Sequence, residues 1–337
     1  MDIKILHCPD LHIYDKEIGH SVGYPEESLY ILDQIKDEFK VGEYDIISLG
    51  GDIQHAKITK TRYISAFQKK IKELGRLAYD RLKERDLLKD LRVYDLKNNL
   101  VDIENKKSVL FSNRGQHDTS STEEFTFFDL LIENNIMVNP SKVFIRDLQI
   151  NYLNYTKNIK ELTTTRKDTT RKMINIYHNP IVERGYFVDE IIGKTITPEN
   201  HNLFKDVDLA IINDIHIPLG AREVVANGQK TTIITPGSLG RTSFSKSHDR
   251  DYGNIVVIEI DSEYKMNTYM VEIELTPAEE FFNKIEVFKQ KRVENAFKNF
   301  SIEIEDIEMT YFDVKQKIEE LVEDDEIKDI CYYILED

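Results

Sequence analysis

The chain has 337 residues, with 45 Lys and Arg against 61 Asp and Glu, for a formal net charge of −16. That length suggests two domains, one of them large, and 40% apolar content supplies a substantial core. The two cysteines, Cys8 and Cys331, exclude a disulfide framework and a cysteine zinc site, and no run approaches the ~18–20 apolar residues of a membrane helix. The start MDIKILHCPDLHI lacks a secretory pattern, so a reducing cytoplasm is the expected compartment.

Charge is unevenly spread. Residues 261–337 hold 22 acidic and 9 basic side chains and carry −13, leaving −3 for the first 260 residues. This argues against wrapping DNA through bulk positive charge, but not against a metal site that handles a phosphate locally.

In chain order, short runs rich in Ile, Val, Leu or Tyr predict strands at Ile3–Leu6, Tyr44–Leu49, Val109–Ser112, Val143–Arg146, Met173–Tyr177, Leu209–Ile212, Thr231–Thr235 and Ile255–Ile260. Between them, helices are predicted at Ser28–Phe39 with Ser28 as N-cap, at Thr61–Lys83 and at Glu123–Asn134. The alternation predicts an α/β sandwich. The polar stretch Leu162–Lys172, with Arg166, Lys167, Arg171 and Lys172, reads either as a solvated loop or as a phosphate-backbone contact. Beyond residue 262 the character changes to a strand at Tyr269–Leu275, a helix from Ala278 to Phe300 and another near Phe312–Val322. A large domain is therefore expected over 1–262, and a small α+β or helical appendage over 277–337.

Histidines and carboxylates collect where strands end. Asp10-x-His12 follows the first strand, Gly51-Asp52-x-x-His55 the second and Gly115-Gln116-His117-Asp118 the third; His178 and Asp214-x-His216 follow later ones. In an open α/β sheet the carboxyl ends of strands converge on one crevice, where ligands bind. Imidazole and carboxylate donors suit Mn, Fe or Zn, and paired metals can clamp both oxygens of a phosphoryl transfer.

These ordered motifs resemble those of calcineurin-like metallophosphoesterases: D-x-H, G-D-x-x-H, G-N-H-D, a lone His and G-H-x-H. Pro236-Gly237-Ser238-Leu239-Gly240-Arg241-Thr242-Ser243-Phe244 is similar to the stretch after the last motif in SbcD-type DNA repair nucleases, the meiotic-recombination branch, and the chain's length to the phage-encoded members. The resemblance implies a two-sheet α/β sandwich nuclease domain over 1–262, a small capping or partner-binding region over 277–337, and a metal-dependent DNA nuclease, a 3′–5′ exonuclease and single-strand endonuclease. Two divalent metals are implied, Mn2+ foremost with Mg2+ as the alternative. The implied partners are DNA, an SbcC-like coiled-coil ATPase and a second copy of the chain, with no membrane, in the host cytoplasm if phage-encoded.

By resemblance, Asp10, His12 and His216 hold the first metal, Asp52 bridges, and His178 holds the second. His117 is the catalytic imidazole and His55 positions phosphate. Gln116 stands where the family has Asn, and Asn213-Asp214 where it has Gly-His, so both ligand changes fall on the second metal. Two other readings stay open: a phosphodiesterase for small substrates, and a degenerate member acting as a structural or inhibitory subunit.

Overall fold

The computed structural model describes residues 2–18, 21–119, 125–167, 170–183, 194–196, 203–226, 228–242 and 250–282. Five elements open the chain: β1 (Ile3–Cys8), α1 (Tyr24–Gly42), β2 (Ile46–Leu49), α2 (Thr61–Glu84) and β3 (Leu91–Tyr94). Then follow α3 (Ile103–Lys106), β4 (Leu110–Ser112), α4 (Phe127–Glu133), β5 (Lys142–Ile145), β6 (Leu148–Leu153) and β7 (Lys172–His178). The remainder comprises β8 (Ile181–Glu183), β9 (Lys194–Ile196), β10 (Leu209–Asn213), β11 (Gly220–Ala226), β12 (Gln229–Thr235), β13 (Tyr252–Ile260), β14 (Met266–Glu274) and α5 (Ala278–Phe281).

Two mixed sheets form the α/β architecture, ordered β14-β13-β1-β2-β4 and β11-β12-β10-β7-β6-β5-β3, with β8 and β9 pairing apart. Successive side chains of a strand point to opposite faces, and the second sheet uses both. Ile174 and Ile176 of β7 join a core shared with the first sheet, whereas Met173 and Tyr177 join a second core with Leu203, Phe204 and Val207. In the first sheet β1, β2 and β4 run parallel, and in the second β6, β7, β10 and β12 do. The carboxyl ends of β1, β2, β4, β7 and β10 carry the motif residues.

Helix α1 starts four residues before the predicted Ser28. Pro25 and the acidic Glu26 and Glu27 occupy its first turn, which suits the fixed φ of proline and the helix dipole. Ser28 lies inside the helix and its hydroxyl donates to the Tyr24 carbonyl. Helix α2 buries Phe67, Ile71, Leu74, Ala78 and Leu82 at three- and four-residue spacing. Helix α4 begins at Phe127, where Thr126 and Asp129 form a capping box.

β14 pairs with β13 along its whole length, and one compact unit spans Met1–Phe281. Of the second unit, Phe282–Asp337, only Phe282 is described; the helix expected from Ala278 to Phe300 is described only at its start, as α5, and the one expected near Phe312–Val322 lies outside the described residues.

The four basic residues of the stretch 162–172 each meet a partner within the fold. Arg166 and Lys172 both pair with Asp208, Arg171 pairs with Asp147, and Lys167 lies 4.1 Å from the Phe144 ring centroid. The loop leads into the amino end of β7, opposite the motif-bearing ends.

Candidate metal centre

The Asp10 and Asp52 loops are zipped together by backbone. His12 N donates to Asp52 O (2.9 Å), Ile13 N to Ile53 O (2.8 Å), and His55 N to Ile13 O (3.1 Å). His12, Asp52 and Asp214 all adopt left-handed backbone, with φ of 47°, 43° and 73°. Non-glycine residues rarely hold that conformation, and it concentrates at functional sites.

Two donor clusters result. Asp10, His12 and His216 offer ligand atoms that lie within 4.8 Å of one another, and so do Asp52, His178 and Asp214. Asp52 faces both: its Oδ2 is 3.3 Å from His178 Nε2 and 4.0 Å from His12 Nε2. The other oxygen, Oδ1, accepts from His117 N (2.8 Å). Nε2 of His12 and Nε2 of His216 approach to 3.1 Å. Asp214 N donates to Asp10 Oδ2 (2.9 Å), tying one cluster to the other.

The donor set fits two divalent cations. Asp10 Oδ1, Asp52 Oδ2 and His178 Nε2 are buried without a hydrogen-bond partner, a costly state unless a cation collects them. Burial raises the Asp10 carboxyl, and Asp52 and Asp214 add to that rise while His178 opposes it. Burial pulls the His178 imidazole down, yet Asp52, Asp10 and Asp214 outweigh it and hold the ring well above the ordinary histidine range. Burial lowers His12 too, and pushes His216 down to about 4.

His55 and His117 stand at the mouth, rings stacked at 5.0 Å. His117 Nδ1 donates to the His55 carbonyl (2.8 Å), which fixes the Nδ1–H tautomer and leaves Nε2 for chemistry. A third possible donor group joins His12 to His55 and His117. Burial, with His117 adding, lowers His55 to about 4. Gln116 is exposed on the loop that carries His117.

Behind these residues stands a brace that the motifs only partly signalled. Gly51 has φ +88°, and a Cβ there would lie 2.6 Å from His178 Nδ1. A Cβ on Gly240 would meet Leu11 O at 2.5 Å and His12 Cβ at 2.6 Å, so this glycine lets the Pro236–Arg241 stretch press on the Asp10 loop. Leu239 N and Gly240 N both donate to Asp10 O. The buried Arg241 pairs with Glu27 of α1 and donates to Arg250 O (3.0 Å), and Arg250 donates to His216 O (3.3 Å).

Four further residues support the centre, and sequence reasoning passed over their roles. Asp118 is buried and accepts from Gly115 N (3.1 Å) and Gln54 N (3.2 Å); burial, then Asp52, raises it to about 7. The Gln54 side chain spans His117 O and Phe127 N. His7 and Asn213 meet in the interior, with His7 Nε2 3.0 Å from Asn213 Oδ1 and His7 Nδ1 3.0 Å from Ser48 Oγ. The predicted strand Ile3–Leu6 stopped one residue short of His7, and only the position of Asn213, beside a motif, drew notice.

The sequence matches no family model and no curated protein. Among solved structures it is similar to GAP50, the anchor in the inner membrane complex of Plasmodium (12% identity, 86% of this chain and 93% of that one, TM-score 0.41). It is similar also to Haemophilus influenzae NAD nucleotidase, NadN (12% identity, 82% and 56%, TM-score 0.38). A third is YfcE, a phosphoesterase from E. coli (11% identity, 81% and 100%, TM-score 0.32). At these scores the likenesses carry no functional weight, and the chemistry is read from the side chains.

Proposed function

We propose that this chain is a metal-dependent phosphoesterase acting on DNA phosphodiesters, as the nuclease subunit of an SbcCD-like repair complex. One observation carries the phosphoesterase reading: two three-donor clusters meet at the carboxyl ends of the two sheets, with the Asp52 carboxylate facing both. The motif order, and the Pro236–Phe244 stretch beside it, favour the nuclease within that class.

Asp10, His12 and His216 would hold one cation, Asp52 would bridge, and His178, Asp214 and Gln116 would hold the other. The bound cations supply Lewis acidity toward water and the phosphoryl oxygens. Oxygen donors at Asp52, Asp214 and Gln116 suit Mn2+ or Mg2+. His117, anchored through Nδ1, presents Nε2 toward the leaving oxygen, where a protonated imidazole donates its proton. His55 orients it through its carbonyl and lines the phosphate's path. Asp214 takes part in a cluster with Asp52 and His178, which weighs against a degenerate, purely structural subunit.

The purified full chain is to be assayed on linear duplex DNA, single-stranded oligonucleotides and bis(p-nitrophenyl) phosphate, with Mn2+ or EDTA, with and without a coiled-coil ATPase. Mn2+-dependent cleavage of DNA is expected. Hydrolysis of the small diester alone would keep the phosphoesterase and reject the nuclease. Activity on none of them would favour the inhibitory-subunit reading.

A further inference from the structure

We infer that His7, through Asn213 and Ser48, is the positioning residue that fixes the spacing between the two donor clusters. The inference builds on the reading above only in taking the clusters as metal sites. His7 lies in β1, three residues before Asp10; Ser48 lies in β2, four before Asp52; Asn213 ends β10, one before Asp214. Asn213 is also in register with His178, the last residue of β7. One side-chain unit thus touches three of the strands that deliver donors and borders the fourth.

The hydrogen bonds have one consistent direction. Asn213 Nδ2 donates to Tyr177 O (2.9 Å), so its Oδ1 faces His7. His7 Nε2 therefore carries the proton, and Nδ1 accepts from the Ser48 hydroxyl. All three residues are fully buried. β1 and β2 belong to the first sheet and β7 and β10 to the second, so no backbone ladder links them. Side chains must hold the sheets in register here, and the His178 Nδ1 bond to Gly50 O (2.6 Å) and the Asp214 N bond to Asp10 Oδ2 (2.9 Å) are further links. Gly50 leaves room for the unit, since a Cβ there would lie 2.5 Å from Asn213 Oδ1. An apolar side chain at position 7 would fill the space without setting the angle between sheets, and metal sites tolerate only about 0.5 Å of error.

The test compares His7→Leu with His7→Gln in the full-length chain, because the Gln amide nitrogen can reach Asn213 as imidazole Nε2 does. Mn2+ binding is followed by calorimetry, the bound pair by its spin-coupled resonance signal, and folding by melting in EDTA. His7→Leu is expected to lose about 10–100-fold in affinity for at least one of the two Mn2+ ions and to lose the coupled signal, whereas His7→Gln stays within about threefold of wild type. Wild-type binding and signal in His7→Leu, with only the melting temperature lowered, would overturn the inference and leave His7 a packing residue. Should His7→Leu not fold, Asn213→Ser is read in its place against the same outcomes. A wild-type chain that binds no Mn2+ pair would instead sink the metal reading itself, and this inference with it.

Discussion

His178 carries the electrostatic burden of the centre. Without a cation, its imidazolium would be the positive charge among Asp10, Asp52 and Asp214; a metal would displace that proton, so Mn2+ uptake should release protons. Asp52→Ala removes the carboxylate oxygen that faces the Nε2 atoms of both His12 and His178, and calorimetry should then show both Mn2+ events lost or crippled. Two equally tight events in that variant would dispose of the bridge. His117→Ala should lower turnover by ~10²–10⁴-fold while leaving Mn2+ binding intact; loss of metal would make His117 a ligand. Burial lowers His7 to about 4 from an unfolded 6.5, so between those values the unfolded chain binds the proton that the fold refuses. Stability from this residue is thus lost as pH falls from 6.5 toward 4, by at most ~1.4 kcal/mol per unit. The acid slope of denaturant-derived stability should flatten in His7→Gln, measured in EDTA; an unchanged slope would mean that His7 is not held neutral. The donors themselves were legible because their chemistry needs them in order at strand ends. His7 was not, since nothing in a linear sequence distinguishes a buried inter-sheet imidazole from an ordinary strand residue.

At the scale of elements, the strands with the plainest apolar runs were readable, and those with polar interiors were not. β6, with the sequence LQINYL, escaped because Gln149 and Asn151 suggest solvent. Both are buried in an amide ladder: Gln149 Nε2 donates to Asn151 Oδ1 (2.9 Å), and Asn151 Nδ2 to Asn175 Oδ1 (2.7 Å). β3 is a short edge strand whose partner comes about fifty residues later in the chain, beyond any local pattern. The start of α1 was misplaced because Ser28 imitates a cap while Pro25 begins the helix. That first turn is also where Glu27 meets Arg241 in the interior. Arg241→Leu leaves a buried carboxylate unpaired and should cost ~3–5 kcal/mol in denaturant unfolding, most of it recovered in Glu27→Leu/Arg241→Leu. Equal losses in the single and double variants would show that the pair contributes through packing alone.

The whole molecule depends on its centre for more than chemistry. Three buried or half-buried carboxylates and three left-handed donors oppose folding unless cations collect them. At free Mn2+ about 1,000-fold above Kd, binding adds ~4 kcal/mol, or roughly 10 °C in Tm for a chain of this size. Scanning calorimetry with Mn2+ and with EDTA should show that gap, and coincident transitions would deny a linked site. The pairing of Ile3 with Ile260 has a separate consequence, one of time. β1 sits at the middle of the first sheet, yet its neighbour β13 is synthesised long after the last donor, His216. A nascent chain can hold every metal-binding side chain and still lack the strand that closes the sheet around them. Such non-local closure makes folding slow, because the entropy of a very long loop must be lost before any contact rewards it. An interrupted translation product that ends before β13 should therefore hold its candidate donors without the strand that closes the first sheet, and bind Mn2+ more weakly than the full chain.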